Sequence, residues 1–95
     1  MISKRIKLGT KIVYAYQISL QTKNLIVFKG SKGYAMCGYL NLQVANRFKD
    51  AAIEVVGVSS IEQALGAKVH SAAPAARKLG VTKGQSLKEA LKLIA

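Results

Sequence analysis

Gly30-Ser31-Lys32-Gly33-Tyr34-Ala35-Met36-Cys37-Gly38-Tyr39-Leu40-Asn41 divides this chain into two kinds of sequence. Upstream of it, apolar residues alternate with polar ones or run on between turn residues, as strands do. Downstream, short apolar runs alternate with amphipathic segments. The stretch holds the only cysteine, three of the eight glycines and two of the four tyrosines. It contains no histidine, aspartate or glutamate that could activate the thiol.

Working back from Gly30, Leu25-Ile26-Val27-Phe28 is a continuous apolar run of the kind found in central strands. Gln21-Thr22-Lys23-Asn24 reads as the turn before it. From Lys11 to Leu20 the pattern has period two: Ile12, Tyr14, Tyr16, Ile18 and Leu20 on one face, Val13, Ala15, Gln17 and Ser19 on the other. Ile2, Lys4, Ile6 and Leu8 predict a shorter strand that Gly9-Thr10 interrupts. Gly30-Ser31-Lys32-Gly33 predicts a hairpin turn in which two glycines take positive φ. It lacks the spacing of a phosphate-binding loop, and a strand rather than a helix follows it. Residues 1–40 are therefore expected to form an antiparallel meander, and their apolar Ile12/Tyr14/Tyr16/Ile18 face is a candidate oligomer interface.

From Asn41 the pattern changes. Asn41 suits the N-cap of a short helix carrying Leu42, Ala45 and Phe48 on one side. Ala51–Val56 reads as the next strand. Ser59 and Glu62 have capping-box spacing ahead of a short helix ended by Gly66. Lys68–Ser71 predicts another short strand. Pro74 opens a helix to Leu79 with Gly80 as its C′ residue. Ser86 and Glu89 form a second capping box, and Leu87, Ala90, Leu91 and Ile94 follow at i, i+3, i+4 and i+7. Strand–helix–strand connections imply parallel neighbours. The expected fold is α+β: a single domain over 1–95, with an N-terminal antiparallel strand meander (1–40) and a strand–helix alternation (41–95). Together these make one mixed sheet covered by helices.

The 95 residues are half hydrophobic and one-fifth charged, which describes a folded domain. No apolar run nears the roughly 20 residues that cross a bilayer. The basic Met1–Lys7 segment is not followed by the apolar stretch of a signal peptide. A single cysteine fits a reducing compartment, so a cytoplasmic location is expected. Net charge is +11, and residues 1–49 hold nine Lys or Arg and no acid. Such a surface attracts an anionic ligand or a polyanion. Lysines outnumber arginines twelve to three, which favours non-specific attraction over base readout.

Cys37 is the first chemical candidate. As a nucleophile or redox thiol it needs a base, a cation or a helix N-terminus close by. Lys29 and Lys32 are near in sequence, and His70, the only histidine, is a weaker candidate base. The plain alternative is a small buried hydrophobe. One His and one Cys fall short of a metal ligand set, so no metal and no cofactor are expected. Cys37, Gly38, Tyr39 and Asn41 close one strand, while Gly57, Ser59 and Ser60 follow another. They are candidate ligand-binding residues around one crevice at strand carboxyl ends. Capping is the simpler role for Ser59.

Gly30-x-x-Gly33-Tyr34-x-Met36-Cys37-Gly38-Tyr39-Leu40-Asn41, then Gly57-Val58, then Ala76-x-x-Leu79-Gly80-Val81-x-x-Gly84-x-Ser86-x-x-Glu89-Ala90-Leu91 resemble the YunC-like family (domain-of-unknown-function family 1805), a small bacterial and archaeal group. The resemblance runs from Leu25 onward and is weakest in the basic N-terminal strands. It implies a small α+β protein whose N-terminal β region is associated with tetramer formation, and it implies no activity. The leading expectation is a homo-oligomeric small-ligand-binding or interaction module with a pocket near Met36–Asn41. A Cys37 enzyme and a non-specific nucleic-acid binder are the alternatives.

Overall fold

The structure, a computed structural model, describes residues 1–38 and 41–95. Among these, six strands form one sheet in chain order: β1 (Ile2–Leu8), β2 (Lys11–Ser19), β3 (Asn24–Lys29), β4 (Tyr34–Met36), β5 (Ala52–Glu54) and β6 (Ser71–Ala72). The meander β1–β4 is antiparallel throughout, as its turn residues predict. Helix α1 (Leu42–Arg47) carries the chain over to β5, which runs parallel to β4. The remaining helices are α2 (Ile61–Leu65), α3 (Pro74–Lys78) and α4 (Leu87–Ile94). The chain is thus an α+β domain with a mixed sheet.

One face of the sheet carries the main core. Val13, Ala15, Ile26, Phe28, Ala35 and Ile53 pack there against Ile61 and Ala64 of α2 and against Leu87, Ala90, Leu91 and Ile94 of α4. The four α4 residues are the apolar stripe its period predicts, and all are fully buried. At about 1.5–3 kcal/mol for each large side chain, this stripe is a principal stabilising contact. On the opposite face α1 covers only β4 and β5, through Ala45 against Ala52 and Ala73, with Tyr34 and Leu42 at the margin.

Beyond α1 no helix covers that second face among the described residues. The inward residues of β2 are the small Val13 and Ala15, which let the helices approach, while Ile12 and Tyr14 point outward and are 37% and 48% exposed. Tyr16 and Ile18 on the same side are half-buried. The apolar set of β2 with the larger side chains therefore lies outside the core.

Several local expectations are corrected. The β5–α2–β6 connection ends antiparallel to β5. The segment before β6 is drawn aside by the chain entering α4: Val69 N–H donates to Gln85 O at 2.8 Å and Leu87 N–H to Ala67 O at 3.0 Å. Only Ser71–Ala72 reach the sheet, from the far end, so most of the predicted Lys68–Ser71 strand is spent on that side pairing. Gly30 and Gly33 are not among the glycines with positive φ. They serve close approach instead. A Cβ on Gly30 would collide with the Ile94 carbonyl, and one on Gly33 with the Ala51 carbonyl. The turn they frame is bonded to both neighbours, Lys32 N–H to Ile94 O at 2.8 Å and Tyr34 N–H to Ala51 O at 3.0 Å.

Helix ends follow the predicted chemistry with one shift and one loss. The N-cap of α2 is Ser60, not Ser59. Ser86 is the N-cap of α4 but makes no side-chain cap bond, and Glu89 pairs with Lys92 instead. Gly80, at φ +103, closes α3: its N–H donates to Arg77 O and that of Val81 to Ala76 O. This is the paired 5→2 and 6→1 pattern of a Schellman motif.

Candidate functional site

The parallel register of β4 and β5, Tyr34 opposite Ala52 and Met36 opposite Glu54, brings both carboxyl ends to one edge of the domain. The chain leaves these strands through Cys37-Gly38 and through residues 55–60. Because β3 is antiparallel to β4, the turn that opens β3 comes to the same edge. The result is an open cleft of about 820 Å³ walled by the Ser19–Asn24 turn, Cys37-Gly38 and the 56–59 loop. Its walls are tied together where the Asn24 side-chain amide donates to Ser59 O at 2.8 Å.

Cys37 forms part of the cleft floor but is only 4% exposed. Its N–H donates to Ile26 O at 3.1 Å, as a ladder residue's should. The chain then turns away, and the sulfur takes the Ile26 N–H at 3.4 Å in place of a carbonyl. The thiol points at Asn24 O, 3.8 Å away, the geometry of a weak S–H donor. Both partners are backbone groups.

The candidate ligand residues divide. Cys37, Gly38, Gly57 and Ser59 meet in the cleft. Tyr39 lies outside the described residues. Asn41 caps α1, its Oδ1 accepting from Gln43 N–H at 3.0 Å and Val44 N–H at 3.2 Å, and does not line the cleft. Ser60 Oγ accepts the Gln63 N–H at 3.1 Å. Ser59 lines the cleft, but its N–H and hydroxyl both donate to Gln63 Oε1, at 2.8 and 2.9 Å. His70 is exposed and sits beyond β5, where its N–H donates to Glu54 O at 2.8 Å. The Ser19–Asn24 wall was missed by sequence reasoning. Counting back from Cys37 along an antiparallel β3 was the signal that could have found it.

The chain's four carboxylates are all engaged elsewhere. Asp50 accepts the Tyr34 hydroxyl at 2.9 Å and Glu54 that of Ser71 at 2.9 Å. Glu62 pairs with Lys4, and Glu89 with Lys92. The Lys4 hydrogen bond holds Glu62 below the usual carboxylate range. Burial, followed by the hydrogen bond to Asp50 and its negative charge, pushes Tyr34 up to about 12. Among the described residues no three His, Cys, Asp or Glu side chains cluster as a metal site would require.

On the bare face of the sheet, register lines up Arg5, Tyr14, Lys29 and Tyr34 as direct cross-strand neighbours. Ile12, Tyr14, Tyr16, Lys29, Gly30 and Ser31 frame a hollow of about 360 Å³ there. The face candidates Ile12, Tyr14, Tyr16 and Ile18 thus share one outward surface.

The sequence profile of a domain of unknown function, DUF1805, matches residues 36–94, from the end of β4 through α4. The chain belongs to this family. It is 36% identical over 81 residues to the uncharacterised protein YunC of Bacillus subtilis (strain 168), covering 81% of this chain and 80% of that relative. A crystal structure of a protein of unknown function from Thermoplasma acidophilum, TA1206, superposes with a TM-score of 0.93 at 36% identity, covering 99% of this chain and 92% of that one. The family's matched region includes Cys37-Gly38 and the 56–59 loop, two of the three cleft walls. No helix is long and apolar enough to cross a membrane among the described residues.

Proposed function

We propose that this DUF1805 protein is a homo-oligomeric binding module that takes a small organic ligand in the cleft beyond β4 and β5, without thiol chemistry on it. The observation that carries this reading is the setting of Cys37: 4% exposed, with its sulfur engaged by Ile26 N–H and Asn24 O. A working nucleophile needs thiolate character and an adjacent base or cation. No ionisable side chain hydrogen-bonds this sulfur among the described residues. The cleft itself falls within the size range of small-molecule sites and lies at the strand ends where such sites occur. Its free thiol favours the reducing cytoplasm.

The oligomer reading rests on the bare face of β1–β3. A sheet buries an apolar face against a second layer, and among the described residues no helix packs over Ile12 and Tyr14, which stay exposed, while Tyr16 and Ile18 beside them are half-buried. A second copy of the chain supplies that layer.

The test is the pH dependence of Cys37 alkylation by iodoacetamide, run beside light scattering on a sizing column. Slow alkylation at every pH below unfolding, with a mass above that of one chain, supports the reading. Half-maximal reactivity well below the free-thiol value of about 8.5 would replace it with a thiol enzyme. The Arg5–Tyr14–Lys29 row favours a second reading, in which the same face binds a polyanion. A monomer that binds single-stranded nucleic acid with steep salt dependence would select it.

A further inference from the structure

We infer that the ligand of this cleft carries an acid group, a carboxylate or a phosphate, held at Lys23, with its apolar body against Leu20, Val56 and Val58. The inference rests on the binding reading above and names the chemical class that the site selects.

The charge of the lining disfavours a cationic ligand. All four carboxylates have partners away from the cleft, and none belongs to its lining. A cationic ligand would therefore enter a site with no anion to meet it, in a chain of net charge +11. Burying a charge without a partner costs far more than ordinary contacts return.

Several donors of the lining are already committed within the chain. Ser59 has already spent its N–H and hydroxyl on Gln63, and the Asn24 amide is committed to Ser59 O. Lys23, exposed on the turn, makes no ion pair among the described residues and is the one cation of the lining. Across from it, the N–H groups of Gly57 and Val58 meet no acceptor among the described residues. Gly57, at φ +72, carries no side chain and faces open space, so that part of the wall is unshielded. Lys23 on one wall and these two unbonded N–H groups on the other are suitable partners for an oxyanion.

Part of the lining is apolar. Val56 is 45% and Leu20 43% exposed, which is surface that a purely inorganic ion would leave wet. An organic acid satisfies both parts of the lining. The Asn24–Ser59 hydrogen bond sets the distance between the two walls, so the site is formed before the ligand arrives.

The experiment is an ¹⁵N amide titration of the intact protein with a matched pair of probes, benzoate and benzamide, and with phenyl phosphate. The expected result is saturable shifts at Lys23, Gly38, Gly57 and Val58 with both acids, and at least tenfold weaker binding of benzamide. Lys23→Gln should weaken the acids about tenfold, while Lys88→Gln, which removes the same charge from α4, leaves them unchanged. If benzamide binds the cleft as well as benzoate does, the acid-group inference falls and the cleft stands as a neutral-ligand site. If the acids instead shift amides beside many lysines and Lys23→Gln matches Lys88→Gln, the attraction is general charge and the inference is wrong. If no probe shifts the cleft amides, the binding reading falls with it.

Discussion

The sulfur of Cys37 does the work of a main-chain carbonyl, accepting the Ile26 N–H at 3.4 Å where the β3–β4 ladder ends. Ile26 is fully buried, so water cannot take over that N–H. Cys37→Ala is expected to lower stability by about 1–3 kcal/mol, the cost of an orphaned buried donor, with a further loss from the cavity left behind. Urea unfolding of the two proteins measures it. Cys37→Ser keeps an acceptor and is expected to lose less than the alanine variant.

Gly30→Ala tests the close approach of the β3–β4 turn to α4. The added methyl must displace the Ile94 carbonyl, which is backbone and cannot swing away. A loss of about 1–3 kcal/mol is expected, by thermal or urea unfolding. Gly9→Ala, at a position with open space but φ +67, is the comparison: its cost is backbone strain alone, and it leaves α4 docking intact.

Alkaline pH tests Tyr34. The folded chain holds the phenolic proton more tightly than the unfolded one, whose tyrosine titrates near 10. The stability this supplies is complete below pH 10 and is lost as the pH rises through about 12. Tyr34→Phe should flatten this part of the pH–stability curve between 10 and 12, since the comparison subtracts everything else that titrates there. A difference curve with no slope over that range counts against both the burial of the Tyr34 hydroxyl and its hydrogen bond to Asp50.

Tyr14→Arg tests the bare sheet face. Tyr14 is about half exposed and makes no side-chain hydrogen bond among the described residues, so the single chain should fold as before. Adding a cation between Arg5 and Lys29 places like charges in the proposed contact. The expected outcome is at least a tenfold weaker association by sedimentation velocity, with an unchanged circular dichroism spectrum.

How far these features could be read in advance depends on the range of the forces behind them. The stripe on α4 and the Gly80 terminus are local: spacing and one glycine decide them, and both appear as expected. The cap of α2 is not local. Ser59 and Ser60 are both adequate caps by type; Ser60 takes the Gln63 N–H, and Gln17, from β2, accepts the Ile61 N–H at 3.1 Å, a partner that local spacing does not reveal. The direction of β6 was hidden for a similar reason, since it depends on pairing between residues 67–69 and 84–87. Alternation in β2 revealed two faces without saying which the helices would choose. They chose Val13 and Ala15, whose small volume admits them, over the more apolar-looking tyrosine side. At the cleft, Cys37, Gly38, Gly57 and Ser59 converge because strand ends are predictable from β–α–β order. Asn41 and His70 lie apart from it, Asn41 because it caps α1 and His70 because its segment runs beyond β5.

The Lys32 side chain lies in solvent at the tip of a turn, yet its amide hydrogen is held by a carbonyl at the far end of α4. Loop amides ordinarily exchange with deuterium within the time of local fluctuations. This one is freed only when the turn and the end of α4 part, by fraying of the last helical turn or by opening of the surface turn itself. Lys32 is therefore a reporter of how firmly the end of α4 is docked on the β3–β4 turn. Its exchange should quicken in Gly30→Ala, which pushes the Ile94 carbonyl away, tying a four-residue surface turn to a helix end more than sixty positions along the chain.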